Sequence, residues 1–264
     1  MNHNSLPILM YHAIRSAADS VLPPTASIEH AVETGDFRAQ LDTIVNCGYR
    51  TIKLEDLDRP LAAAKSLLIT FDDGHQSDLL EAAPELARRN LHALFFVIWS
   101  YLGRPGYMTR EQVLALRGQG FEIGSHGLTH VRLTQISVAE ASREVCESKR
   151  QLEDLLQEPI AALAIPFGYY NDQVLQAAWA AGYQRVMTSD FRVAKRKRRV
   201  MPRMGPMADT TSRDFQWMLE TSSGAAIGHH AIEAIGVRLR RLTSYAEMLM
   251  ARAHKVEDLT KAEK

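Results

Sequence analysis

Two short motifs in this sequence carry side chains that bind metals or move protons. Asp72 and Asp73 are adjacent and precede Gly74. His126 and His130 are separated by three residues. Two carboxylates this close repel each other and are costly to desolvate, so a buried pair needs a cation or hydrogen-bond donors beside it. Two imidazoles one helical turn apart, together with one carboxylate, make a ligand set common in hydrolytic zinc sites.

Each motif also has a simpler explanation. A His-x3-His pair is found on protein surfaces and in cores, and Asp-Asp-Gly is favourable turn chemistry. The case for a metal site therefore depends on whether the fold brings the two motifs together.

The hydrophobic pattern predicts repeated βα units around a parallel sheet, because apolar runs alternate with stretches of helical period. Capping boxes at Thr109 with Gln112 and at Ser137 with Glu140 predict the starts of two helices, the second covering about 137–156. The predicted strands are 6–11, 66–71, 92–97, 121–125, 161–165 and 183–188.

Polar residues stand at the ends of several predicted strands. Asp72 and Asp73 follow the strand at 66–71, and His126 follows the strand at 121–125. Pro166 comes directly after the strand at 161–165. In an α/β barrel the loops after the strands gather around one opening, so the sequence predicts that these residues meet there.

The overall composition is that of an ordinary globular protein. Of the 264 residues, 46% are hydrophobic, and 31 basic residues balance 31 acidic ones. The absence of a net positive field argues against a nucleic acid partner. The first residues show no readable signal peptide or membrane span, which predicts a cytoplasmic location.

One segment, 192–203, is rich in lysine and arginine. We expect an exposed loop here. A solvated loop is one explanation of the charge, and peripheral contact with an anionic membrane or a phosphate-bearing substrate is the other.

The motifs resemble those of a known family. TFDDG at 70–74, SHGLTH at 125–130 and Pro-Phe-Gly at 166–168 are similar to motifs of the polysaccharide deacetylases, carbohydrate esterase family 4, with their NodB homology domain. ILMYHAI at 8–14 and GYRTIKLEDL at 48–57 resemble the subgroup that includes poly-N-acetylglucosamine deacetylases. The resemblance implies an α/β fold, a distorted (β/α)7 barrel. We expect one domain over 1–264, with 238–264 as a C-terminal helical tail.

The resemblance also implies roles for individual residues. Asp72 corresponds to the general base, and Asp73, His126 and His130 correspond to ligands of one divalent metal ion. Zinc is the expected metal, with cobalt, nickel, iron and manganese as alternatives. The backbone N–H of Phe167 is expected to stabilise the developing oxyanion.

Two positions depart from the family pattern. The late motif has Gly228 where an aliphatic residue is usual, so His230 is the candidate general acid, with His229 and a simple surface histidine pair as alternatives. Ala164 stands where many members carry an arginine that holds the base, so the base must be tuned by another group.

Three further residues are candidates for substrate contact. His12, at the end of the first strand, is expected either to touch substrate or support the metal site, or to be a hydrogen-bonded core histidine. Pro166 and Tyr169 lie at the predicted rim, where an aromatic ring can stack on a sugar but can equally be packing. Asp190 is expected either to orient a histidine or to be a turn residue.

The implied activity is removal of N-acetyl groups from an amino sugar or N-acetylated glycan. Two alternatives stay open. One is an enzyme that deformylates or deacetylates a lipid- or nucleotide-linked amino sugar precursor, and the other is an inactive member that only binds glycans.

Overall fold

Seven parallel strands form the centre of the structure. The structure is a computed structural model, and it describes residues 5–16, 23, 25–60 and 65–221. The seven strands are β1 (Ile8–Tyr11), β2 (Ser66–Phe71), β3 (Leu94–Val97), β4 (Glu122–Ser125), β5 (Ala162–Ala164), β6 (Arg185–Thr188) and β7 (Val200–Pro202).

The strands close into a barrel in chain order. Each strand pairs in parallel with the next, from β1 through to β7. A parallel bridge between Leu9 and Met204 then joins the first strand to the chain just after the last. Met10 N donates to Met204 O at 2.9 Å, and Met204 N donates to Ile8 O at 2.8 Å. The predicted distorted (β/α)7 barrel is therefore confirmed.

Helices and short elements connect and surround the strands. The helices are α1 (Thr34–Asn46), α2 (Ala83–Arg88), α3 (Arg110–Gly118), α4 (Val138–Leu156), α5 (Asp172–Ala180) and α6 (Ser212–Thr221). The short strands are Ser5–Leu6, Ile14–Arg15, Val32–Glu33, Arg50–Thr51 and Ala194–Lys195. The single-turn helices are Leu54–Asp58, Asp78–Ala82, Trp99–Tyr101, Leu133–Gln135 and Pro166–Gly168.

Apolar side chains pack in two layers because successive residues of a strand point to opposite faces of the sheet. One cluster, including Leu68, Phe96 and Met187, fills the barrel, and a second, including Ile69, Phe95 and Val186, packs under the helices.

The glycine at 124 makes the inner packing possible. A Cβ at Gly124 would lie 2.5 Å from the ring of Phe96, which is too close for any side chain.

The helix starts follow the sequence. Thr109 accepts a hydrogen bond from Gln112 N, and Ser137 accepts one from Glu140 N, so both predicted capping boxes are confirmed. Helix α4 ends at Leu156, as predicted.

The expectation of an exposed loop holds for 197–199 but is wrong for the segment 192–203 as a whole. The segment contains the short strand Ala194–Lys195 and the barrel strand β7, and Arg203 at its end has no exposed surface. Apolar residues such as Ala194 and Met201, both buried, lie between the basic ones and hold the segment against the barrel.

Some predictions concern residues that the structure does not describe. His229, His230 and the tail at 238–264 lie outside the described residues, so the single-domain prediction for 1–264 stays a prediction. Among the described helices, none has the length and apolar character needed to cross a bilayer.

Candidate active site

The backbone of the barrel fixes the residues that follow its strands. Asp72 N donates to Tyr11 O and His126 N donates to Val97 O, both at 2.9 Å, so each residue extends the sheet by one step past its strand. Both side chains are buried, with 2% of their surface exposed. The carboxyl ends of β2 and β4, which flank β3, therefore bring the two sequence motifs together at one end of the barrel, as predicted.

Three potential metal ligands converge at this opening. Asp73 Oδ1 lies 3.3 Å from His126 Nε2 and 3.4 Å from His130 Nε2. One ligand atom from each residue lies within 4.8 Å of the others. Asp73 Oδ1 is buried and, among the described residues, accepts no hydrogen bond. A divalent cation between the three would satisfy this oxygen, so the residues fit a metal site.

The orientation of His126 supports this function. Its Nδ1 lies 2.9 Å from the carbonyl oxygen of Ala164. Since a carbonyl can only accept, the proton sits on Nδ1, and the lone pair of Nε2 faces Asp73 and His130.

Charge and burial set the protonation of the cluster. Burial raises the pKa of Asp73, but its interactions with the His126 ring and with the neighbouring His12 and His75 rings outweigh burial, and the pKa falls well below its usual value. Burial and repulsion by His126 lower the pKa of His130 to about 4. Both groups are thus in the deprotonated form that binds metal.

A buried arginine holds the predicted base. Arg203 makes two parallel hydrogen bonds to Asp72, from Nη1 to Oδ1 and from Nη2 to Oδ2, both 2.7 Å. Arg203 also donates to Thr70 Oγ1 and to the carbonyl of Thr188. Burial raises the pKa of Asp72, but the charge of Arg203, followed by that of His126, outweighs it and lowers the pKa, so Asp72 stays ionised.

Arg203 supplies the guanidinium that Ala164 cannot provide to the base. Ala164 is fully buried on β5, whereas Arg203 reaches the base from the residue that follows β7. The prediction that another group must tune the base agrees with this contact.

Backbone strain is concentrated at the site. Asp73, His130 and Phe167 have φ of 77°, 59° and 61°, and they are three of the five non-glycine residues with positive φ in the described chain. This conformation costs about 1 kcal/mol or more per residue. The cost is tolerated where surrounding contacts determine the backbone, as at a preorganised site.

The carboxylate of Glu144 on α4 holds the turn that carries both histidines. It accepts hydrogen bonds from Leu128 N at 3.0 Å, from Thr129 N at 2.9 Å and from the Thr129 hydroxyl. The side chain is 5% exposed. Glu144 therefore fixes the turn between His126 and His130.

A third histidine side chain, that of His75, lies beside Asp73. His75 Nε2 lies 3.5 Å from Asp73 Oδ2 and 2.8 Å from Thr25 Oγ1. The hydroxyls of Thr25 and Tyr107 are 2.9 Å apart, which extends this buried network away from the metal ligands. Burial lowers the pKa of His75 to about 4, so the ring is neutral.

Candidate substrate residues lie around the mouth. Phe167 and Tyr169 are 48% and 44% exposed, whereas Pro166 is buried. The Phe167 ring lies 4.6 Å from that of His130. The half-buried His12 ring contacts the His30 ring in a tilted arrangement, with 5.0 Å between ring centres. Burial lowers the pKa of His12 despite the nearby acids. The roles of these residues in substrate binding and catalysis stay predictions.

Asp190 is engaged as a turn residue. Its Oδ2 accepts hydrogen bonds from Thr188 Oγ1 at 3.1 Å and from Tyr170 OH at 3.3 Å, and Arg192 lies 3.2 Å away. Thr188 and Arg192 are local partners of Asp190, whereas Tyr170 is 20 residues away in sequence.

Sequence reasoning missed Arg203, Glu144, His75 and Thr25. Arg203 was grouped with a basic run, although it follows a barrel strand just as Asp72 and His126 do. Its position directly after a strand is the sequence feature that could have identified it. Glu144 and Thr25 carry no comparable signal, because their partners are distant in sequence.

Fold and site together describe a parallel βα barrel with a candidate two-histidine, one-carboxylate metal site and an arginine-paired carboxylate beside it. Comparison with known proteins agrees. Residues 61–186 match the family model described as polysaccharide deacetylase. Over these residues the chain is similar to the polysaccharide deacetylases.

Three relatives illustrate the similarity. YxkH of Bacillus subtilis, which bears the name of a polysaccharide deacetylase, is 29% identical over 196 residues, 72% of this chain and 67% of YxkH. A peptidoglycan-N-acetylglucosamine deacetylase of Bacillus cereus is 33% identical over 47% of this chain and 57% of the relative. The structure of the Streptococcus pyogenes deacetylase PplD in complex with acetate has a TM-score of 0.72 at 26% identity, covering 81% of this chain and 98% of PplD. This chain thus spans only part of the length of the two curated relatives.

Proposed function

We propose that this protein is a metal-dependent carbohydrate N-deacetylase, which hydrolyses the acetamide of an amino sugar or N-acetylated glycan. The observation that carries the proposal is the convergence of Asp73, His126 and His130 beside an ionised, arginine-held Asp72. The names of the family relatives support the same chemistry.

Asp73, His126 and His130 would hold a divalent ion. When bound, such an ion supplies Lewis acidity, which makes a water more acidic and polarises an amide carbonyl. The ligand set suits zinc, which is the metal we propose, with cobalt, nickel, iron and manganese as alternatives.

Asp72 would take the proton from the attacking water. Its ionisation requires Arg203, whose two hydrogen bonds hold both carboxylate oxygens in the barrel. The Phe167 N–H would stabilise charge that develops on the carbonyl oxygen, in a backbone conformation that the strained turn imposes. His230 is the proposed acid for the leaving amine.

Acetate release with metal analysis tests the proposal. The native protein, Asp72→Asn and His126→Ala are loaded with zinc and incubated with N-acetylated sugars and oligosaccharides. We expect the native protein to bind one ion and release equal amounts of acetate and amine. Asp72→Asn should keep the ion and lose turnover by about 10³-fold or more. His126→Ala should lose both. Native protein that binds no metal and releases nothing would favour the inactive glycan-binding alternative.

The lipid- or nucleotide-linked precursor is the second proposed substrate class. It rests on the predicted cytoplasmic location and on the basic residues of 192–203. Arg192 and Arg196 are engaged with Asp190 and the Arg59 carbonyl, while Lys195, Lys197 and Arg198 are exposed. Neutralising Lys195, Lys197 and Arg198 should lower turnover of a lipid-linked substrate in anionic vesicles. Unchanged turnover, or recovery of the protein outside the cytoplasm, would overturn this alternative.

A further inference from the structure

The mouth of the site carries arginines that contact aromatic rings. The guanidinium carbon of Arg132 lies 5.2 Å from the Phe167 ring centre and 4.8 Å from that of Tyr169. The guanidinium carbon of Arg104 lies 4.3 Å from the Tyr101 ring centre.

These rings connect the arginines to a metal ligand. Phe167 lies 4.6 Å and Tyr101 lies 6.3 Å from the His130 ring, measured between ring centres. Arg132 and Arg104 are thus each separated from His130 by one aromatic ring.

No carboxylate in the described part of the chain neutralises the charge of either arginine. Across residues 5–16, 23, 25–60 and 65–221, neither Arg132 nor Arg104 lies within ion-pair distance of a carboxylate, whereas Arg203, Arg117 and Arg185 each do. A guanidinium that stacks on a ring keeps the N–H groups at its edge available for carboxylate or phosphate oxygens. The mouth therefore presents preorganised positive charge beside exposed aromatic surface.

From this arrangement we infer that the site prefers N-acetylated glycans that carry a carboxylate or phosphate on a sugar next to the reacting acetamide. The Tyr169 ring contacts the sugar, and Arg132 binds its carboxylate or phosphate. This inference deepens the proposed function and rests on it for the identity of the site. Arg132 would determine specificity and take no part in the chemical step.

Matched disaccharides test the preference. The substrates are N,N′-diacetylchitobiose, its aldonic acid, its 1-phosphate, and N-acetylglucosamine with glucuronate on the non-reducing side. The first is neutral, and the others place one carboxylate or phosphate on either side of the acetamide. We expect the zinc-loaded native protein to show a KM about tenfold lower for at least one charged compound than for the neutral one, with the difference shrinking at high salt.

Three variants separate charge from packing. Arg132→Gln should remove the preference for the charged compound and leave kcat on the neutral compound within about threefold. Arg132→Lys should keep part of the preference, because it keeps the charge. Arg143→Gln changes an exposed arginine on α4 and serves as the control.

Two results would overturn the inference. One is equal KM for neutral and charged compounds in the native protein, and the other is an equal loss on both with Arg132→Gln, which would indicate packing alone. If the native protein hydrolyses none of the compounds, the proposed function fails. Calorimetric binding of the same four compounds then decides the inference separately, since a charge preference that Arg132→Gln abolishes would still support it.

Discussion

The floor and the rim of the candidate site are held in different ways. On the floor, Asp72, Asp73, His126 and Arg203 each have 3% or less of their surface exposed. Asp72 is held by two hydrogen bonds from Arg203, and His126 by one to a backbone carbonyl. On the rim, Phe167 and Tyr169 are nearly half exposed.

The contrast indicates a division of work between buried and exposed groups. Buried charges lose hydration and must be compensated by fixed partners, so the floor is preorganised for proton transfer and metal binding. Exposed rings and arginines can change conformation at little cost in free energy, which suits recognition of a substrate. Changes on the floor should therefore alter protonation and metal affinity, and changes on the rim should alter KM.

Removing Arg203 should have the largest effect. Arg203→Met leaves Asp72 buried without its cation, and because burial raises a carboxyl pKa, the pKa of Asp72 should rise. Activity needs ionised Asp72, so it should fall about 10²- to 10³-fold at neutral pH, and the acid limb of the pH profile should move to higher pH. The pH dependence of kcat/KM measures both.

Arg198→Gln, an exposed change in the same basic segment, is the matched control and should leave the profile unchanged. A loss of rate in Arg203→Met without a shift of the acid limb would indicate that Arg203 only stabilises the fold.

Releasing the histidine turn should weaken metal binding. Glu144→Ala removes the acceptor of three hydrogen bonds from Leu128 and Thr129, so His130 loses its fixed position. We expect zinc affinity to fall about 10- to 100-fold, as measured by competition with a chelator. Glu140→Ala, at the exposed start of the same helix, is the control. Equal zinc affinity in Glu144→Ala and Glu140→Ala would show that the turn keeps its conformation without Glu144.

Metal affinity should depend on pH through His126. Burial lowers the pKa of His126, but attraction to Asp72 and Asp73 outweighs it, and the pKa lies above the usual 6.5. The proton must leave before metal binds, so affinity should fall about tenfold per pH unit below the His126 pKa and level off above it. Titration with zinc at several pH values measures this slope. A flat affinity from about pH 5 to 8 would contradict the raised pKa.

The same raised pKa predicts how the metal-free fold responds to pH. Protonated His126 stabilises the fold fully below about 6.5, its unfolded value, and this contribution is lost as pH rises through the folded pKa. Thermal unfolding of the metal-free protein measures it, with His126→Gln as the control.

Changing a rim ring should have the smallest effect. Tyr169→Ala removes a stacking surface worth about 1 kcal/mol, so KM should rise about fivefold with little change in kcat or zinc affinity. Tyr169→Phe should keep the stacking and behave as the native protein does. A fall in kcat with unchanged KM would place Tyr169 in the chemical step and weaken the division between floor and rim.

Much of this protein can be predicted from its sequence alone. Six of the seven barrel strands and the capping boxes at Thr109 and Ser137 follow from short-range patterns, because hydrophobic period and cap chemistry act within a few residues. The (β/α)7 barrel was implied by the resemblance of the motifs to a known family, and the strand at Val200–Pro202 was not predicted. Asp72, Asp73, His126 and His130 are recognisable because each lies in a compact motif directly after a strand.

Only the tertiary structure decided how those residues are held. Arg203 and Asp72 are separated by 131 positions, and Glu144 supports a turn 15 residues earlier. Neither pairing leaves a local pattern. Closure of the barrel brings the strand ends at Asp72 and Arg203 together, and the position of α4 brings Glu144 to the histidine turn. The basic segment 192–203 shows the same limit. Its charge predicted exposure to solvent, whereas the pairing of β7 with β6 places its last arginine, Arg203, inside the barrel.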